Sequence, residues 1–232
     1  MTAAVELAGG RTMTWAVTSL EPGKSAVEGT QAAGIRVVLE GEVRFTPSSG
    51  PELTLVPGDV ARTRDAGAER WQAGDSGAVW FDATDLEPER APCPRLRHRG
   101  ACPPGERLAC PSRPRVHRWA RTEDVLASAA ADGSFPQIAR FGVPRPGGDL
   151  TPTLRAEVHR LDAGRRTPSV WASRSSVVAV LAGSGTSVVH GRRLCWDARD
   201  VFVVPAGAPV DHHADVTSDL FIVSDAPALE VG

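Results

Sequence analysis

Tyrosine is absent from this 232-residue chain, and lysine occurs once, at Lys24. Aromatic residues make up only 5%, so the bulky side chains available to a core are six tryptophans and six phenylalanines. Arginine carries almost all the positive charge. Together with abundant alanine and proline this has the look of GC-rich coding, so an arginine cluster is a weaker signal here than elsewhere. Neither sign of charge is in excess: 26 basic against 28 acidic residues give a formal net charge of −2. That balance offers nothing to a nucleic acid or an anionic membrane. Long hydrophobic runs are missing too. The longest clean ones resemble Val177 to Ala182, far short of the roughly 20 residues that cross a bilayer. The opening MTAAVELAGG has no basic segment followed by a long apolar one, so no secretion signal is expected and the cytoplasm is the expected location. Histidine does not occur before His98.

Cysteine is scarce and badly spaced for metal. Cys93, Cys102 and Cys110 fall in a Pro/Arg-rich stretch near His98 and His117, and Cys195 stands alone. Structural zinc prefers close C-x-x-C pairs, so free thiols in a loop are expected.

What the chain does have is short alternating segments. TMTWAVTSL, GIRVVLEGEVRFT, LTLVPGDVART and GAVWFDATD precede an irregular middle, and LRAEVHRLDAG, SSVVAVLAGSG, TSVVHGRRLCW, DVFVVPAG and DLFIVSDAP follow it. Arg36, Val38 and Glu40 alternate with Ile35, Val37 and Leu39, the period of a strand. Many short strands broken by glycine turns predict an all-β sandwich or barrel. The middle, 87–121, holds seven prolines and nine arginines and is expected to form neither ladder nor helix. One helix is expected after it, from Thr122 as N-cap with Glu123 and Asp124 in its first turn to about Ala131, before Gly133. The expected division is therefore 1–86, a linker with the short helix over 87–135, and 136–232.

The two β segments resemble each other. LEGEVRFTPSSGPELTLVPGDVART is matched by LAGSGTSVVHGRRLCWDARDVFVVP, each a strand, a glycine turn, two more strands and a strand begun by Asp59 or Asp200. Such self-similarity points to an internal duplication. The paired pattern resembles the cupins, and its order that of a bicupin with two jelly-roll barrels in one chain. Residues 141–185, followed by WDARDVFVVPAGAPV and LFIVSDAPALE, resemble the C-terminal barrel of gentisate 1,2-dioxygenase and related salicylate and hydroxynaphthoate dioxygenases.

That resemblance implies ligand slots. Cupins bind metal through G-x5-H-x-H-x3-4-E-x6-G and G-x5-P-x-G-x2-H-x3-N, and the converging side chains leave open positions on Fe(II) for substrate and dioxygen. In the second half the Glu slot is Ser176 and the His slots are Val170 and Ala172, or Ser169 and Trp171. Pro205 and Gly207 sit where expected, and the last His slot is Val210. In the first half the Glu slot is Gly34, the His slots are Glu28 and Thr30, or Val27 and Gly29, and the last is Glu69. No metal and no cofactor is expected, because the imidazoles are missing from these slots. In VFVVPAGAPVDHH, His212 shares the parity of Val210 and is expected to face inward, whereas His213 faces out.

The candidate site residues follow. Glu28 and Glu69 could act as a buried acid–base pair with split pKa values. Arg36 is expected on the same inward face, bound to one of them or to a ligand carboxylate. Arg174, Trp171 and His212 are ligand-binding candidates in the second half. The pocket is expected in the first barrel, with the second mostly packed. Three functions compete. The first is a metal-free bicupin binding a small organic molecule, such as an aromatic carboxylate, with acid–base chemistry of the isomerase, dehydratase or cyclase kind. The resemblance alone implies an Fe(II) ring-cleaving dioxygenase acting on gentisate or salicylate. A non-catalytic sensor or scaffold subunit is the third. Pairing through barrel edges, as in a homodimer, is expected in each.

Overall fold

A computed structural model of the chain describes residues 2–6, 12–29, 34–47, 50–62, 68–86, 115–142, 149–151 and 153–225. The first half contributes β1 (Thr2–Glu6), β2 (Thr12–Leu20), β3 (Ser25–Gly29), β4 (Gly34–Thr46), β5 (Leu53–Leu55), β6 (Val60–Arg62) and β7 (Ala68–Leu86). Then come β8 (Arg115–His117), helix α1 (Trp119–Ala131) and β9 (Gln137–Phe141). The second half runs through β10 (Arg155–Leu161), β11 (Val170–Trp171), β12 (Ser176–Ala182), β13 (Ser184–Val189), β14 (Arg192–Asp197), β15 (Val201–Val204), β16 (Pro209–Ala214) and β17 (Ser218–Ser224). All named pairings are antiparallel. The first half and β8 make one eight-stranded sheet, and the second half makes a five-stranded sheet, β15-β12-β17-β10-β9, facing a four-stranded one, β11-β16-β13-β14. No helix among the described residues is long and apolar enough to cross a membrane.

The duplication is visible in single hydrogen bonds. Val38 N–H donates to the Asp59 carbonyl and Gly58 N–H to the Val38 carbonyl; in the second half Val180 N–H donates to Asp200 and Arg199 N–H to Val180. The Asp59 carboxylate accepts the Val56 N–H as Asp200 accepts that of Asp197. The turn glycines also correspond. Gly41 and Gly183 both have positive φ, and a side chain on either would collide with the facing strand.

Alternation decides what each strand buries. In the second half Leu161, Val178, Val180, Val210 and Leu220 point between the two facing sheets. Their neighbours Ala156, Val158, Val177, Ala179, Phe221 and Val223 point the other way, into a core shared with Met13, Trp15, Ile35, Val37 and Phe81 of the first half. Phe221 lies edge-on to Phe81 at 6.2 Å. Strands buried on both faces read as unbroken apolar runs, which explains VVAVL and LFIV. The first half keeps an inner cluster of its own, where Trp71 stacks on Trp80 at 5.6 Å and Phe45 leans on Trp71 at 4.4 Å.

Two expectations about the middle need correction. Residues 115–117 do form a ladder, with Val60 opposite His117. They follow the last proline of the stretch, so their N–H groups are available to the edge of β6. The helix begins at Trp119 rather than after Thr122, and Thr122 is buried inside it. The Trp119 N–H donates to Asp59 Oδ1 at 2.8 Å and Arg118 Nη1 to Asp59 Oδ2 at 2.6 Å. A carboxylate remote in sequence therefore caps the helix, and Glu123 and Asp124 fall beyond its first turn. Gly58 makes room for this, since a Cβ there would lie 2.5 Å from the Trp119 ring. Cys93, Cys102, Cys110 and His98 lie outside the described residues; Cys195 is a free, exposed thiol.

Candidate functional site

The slots counted from sequence occupy equivalent places in the two halves. Glu28 and Glu69 are direct partners across β3 and β7, as Val170 and Val210 are across β11 and β16. In the first half Arg36 and Glu69 are both buried, with Nη1 3.4 Å from Oε2, and the Arg36 guanidinium lies over the Trp71 ring at 4.6 Å. The side chain of Glu28 lies outside the described residues.

In the second half the sheets part to leave a cavity of about 360 Å³. Its wall includes Arg155, Glu157 and His159, successive inward residues of β10, with Arg174, Trp171 and His212 from the facing elements. Trp171, 74% exposed, stands at the rim, and Val170 is exposed beside it. Arg155 is buried and held by Asp149, with Nε 3.0 Å from Oδ1. His159 Nε2 lies 3.2 Å from Glu157 Oε2. This hydrogen bond is the main reason the Glu157 carboxyl titrates below its ordinary value, against the opposing effect of burial. His212 sits deeper, its Nδ1 2.6 Å from Ser187 Oγ. Burial, followed by the nearby charge of His159, pushes its pKa down to about 4, so it is uncharged at neutral pH. His213 instead faces Asp215 at 3.4 Å.

Comparison with known proteins places this geometry. The EutQ-like cupin domain family matches residues 7–76. A gentisate 1,2-dioxygenase from Streptomyces is 29% identical over 84% of this chain and 64% of its own length. A 5-aminosalicylate 1,2-dioxygenase from Comamonas is 27% identical over 85% and 61%. The chain thus spans less than two thirds of the length of these curated relatives. The crystal structure of salicylate 1,2-dioxygenase from Pseudaminobacter salicylatoxidans superposes with a TM-score of 0.74 at 27% identity, covering 94% of this chain and 72% of that one. The same enzyme has been crystallised in adducts with gentisate.

The chain has the cupin fold and shows homology to the gentisate and salicylate 1,2-dioxygenases. Its two jelly-roll halves are those of a bicupin.

The iron of a ring-cleaving cupin needs a converging set of lone-pair donors, mostly imidazole. The chain does not present one among its described residues. Beside Glu69 stands the Arg36 guanidinium, a cation with no lone pair to give. In the second half the corresponding slots are the hydrocarbon side chains of Val170 and Val210, and His212 Nδ1 is taken up by Ser187. No group of three or more His, Cys, Asp or Glu side chains among the described residues is placed to hold a metal ion.

The sequence-derived site residues therefore separate into two places. Arg36 and Glu69 meet in the first half, whereas Trp171, Arg174 and His212 meet at the cavity of the second, where packing was expected. Arg155, Glu157 and His159 were missed. Their signal was present as R-x-E-x-H, three polar residues at strand alternation, each separated by an apolar residue that belongs to the shared core.

Proposed function

We propose that this cupin binds a small aromatic carboxylate in its second-half cavity, with no imidazole-bound iron in its first half. The observation that carries this reading is the cavity wall, which joins Arg155, Arg174 and the Trp171 indole to an uncharged His212. Guanidinium groups suit a carboxylate, an indole suits the face of a ring, and the volume lies in the range of small-ligand sites. The Glu157–His159 pair gives the cavity a proton acceptor and carrier, the equipment for an isomerisation, dehydration or cyclisation. In this reading residues 1–86 and 136–232 are the two barrel units. The buried Arg36–Glu69 pair, with Glu28 opposite, is the polar centre of the first. The protein acts in the cytoplasm as a homodimer.

The second reading is an Fe(II) ring-cleaving dioxygenase. What favours it is that the similar proteins named above are 1,2-dioxygenases by name. One set of measurements separates the two. Salicylate and gentisate are titrated calorimetrically into protein treated with a chelator, and the metal content of untreated protein is measured. The first reading expects binding that survives chelation and weakens about tenfold or more in Arg174→Met. Near-stoichiometric iron, with dioxygen uptake that depends on gentisate and stops on chelation, would establish the second reading instead.

A further inference from the structure

The hydrogen bonds behind His212 determine which of its nitrogens carries the proton. Ser187 stands opposite His212 in the β13–β16 ladder and is fully buried. The Trp196 indole, an obligate donor, gives its N–H to Ser187 Oγ at 2.9 Å. Trp196 reaches that position because Gly185 has no side chain; a Cβ there would lie 2.6 Å from the indole ring. Ser187 Oγ has one other hydrogen-bond neighbour among the described residues, His212 Nδ1. The single hydroxyl proton cannot go to the indole, so it goes to Nδ1. Were Nδ1 itself protonated, the hydroxyl would receive two protons and have no protein acceptor among the described residues for its own, an unmade hydrogen bond at a buried site. Nδ1 is therefore bare and the ring proton resides on Nε2. No protein group among the described residues is placed on Nε2, and the ring lines the cavity.

We propose that His212 is a specificity-determining donor: a neutral imidazole, locked by Trp196 and Ser187 as the Nε2–H tautomer, that hydrogen-bonds an acceptor oxygen of the bound ligand. The ligand class is a small molecule with a deprotonated carboxylate or a carbonyl at that point. This rests on the carboxylate-binding reading of the same cavity and adds the atom that recognises the oxygen. Ser187 is a positioning residue that acts through His212.

Two measurements test it. Long-range proton–nitrogen correlation spectra of protein labelled with ¹⁵N in histidine report the tautomer without any ligand. The expected result is Nε2–H for His212 in the wild type, and a mixture of tautomers in Ser187→Ala. In calorimetry with salicylate, His212→Ala should lose about tenfold in affinity, and His212→Gln, whose amide can donate from a similar position, should recover part of it. An Nδ1–H tautomer in the wild type overturns the network. Unchanged salicylate affinity in His212→Ala, with affinity lost in Arg174→Met, overturns the donor role and leaves the carboxylate reading standing. Failure of the wild type to bind salicylate overturns the carboxylate reading and the ligand half of this inference, while the spectra still decide the tautomer.

Discussion

An imidazole kept neutral by burial must make the fold sensitive to acid. His212 titrates at about 4 in the folded protein against an ordinary value of 6.5. Between these values the unfolded chain takes up a proton that the folded chain refuses. Stability is therefore intact above the unfolded value and is lost as pH falls through it. The loss attributable to this one group is about 2 kcal/mol between pH 7 and pH 5, approaching about 3 kcal/mol below pH 4. That is a large share of the roughly 5–15 kcal/mol that holds a typical domain together. Glu157 adds to the loss only at lower pH, because its carboxyl titrates below the ordinary 4.5. The assay is urea unfolding of wild type and His212→Gln at pH 7, 6 and 5. Arg155, Glu157, His159 and Arg174, which share the cavity with His212, are present in both proteins, so the difference isolates the substituted ring. The variant should lose about 2 kcal/mol less than the wild type over that range. Parallel stability profiles would refute the argument that burial keeps this ring neutral.

Other consequences are structural. Asp59→Ala removes the acceptor of the Trp119 and Val56 N–H groups and the partner of Arg118; it should cost about 2–3 kcal/mol. The equivalent Asp200→Ala, at an exposed turn, should cost about 1 kcal/mol, and equal costs from denaturant unfolding would contradict the capping role. Gly185→Ala should destabilise by about 1–3 kcal/mol and shift the tryptophan fluorescence, because the new methyl meets both Trp196 and the His213 carbonyl. Glu69→Gln withdraws a charge from the buried Arg36 and should cost about 2–4 kcal/mol. Arg36→Met combined with Glu69→Met should recover much of that loss; a double variant as unstable as the sum of the single ones would show that the ion pair is not what couples these sites.

Much of the architecture was legible in sequence because it rests on local rules. Strand alternation, glycine at the turns and an aspartate three residues past each turn residue it binds are short-range features, and they recur in both halves as the same hydrogen bonds. The ligand slots came from the resemblance to the cupins, and two pairs counted from it, Glu28–Glu69 and Val170–Val210, are cross-strand partners at equivalent ladder positions. Whether those slots surround a cavity was not legible. Local pattern gives the parity of a residue but not the separation of the sheets it faces, and that separation depends on side chains from many strands at once. In the first half Trp71 lies over the Arg36 guanidinium, and Phe45 and Trp80 pack on Trp71. In the second the sheets part beside β10, and Arg155, Glu157 and His159 line the gap. The R-x-E-x-H alternation indicated one polar face, but only the position of β16 opposite it shows that the face meets His212. The start of the helix has the same character. Thr122 was the plausible local cap, and Asp59, some sixty residues earlier in the chain, displaced it because folding buries its carboxylate against the Trp119 N–H. Sequence determined which residues alternate, turn and repeat; the tertiary structure decided which of them meet, because contact between distant strands is settled only when the shared core has closed.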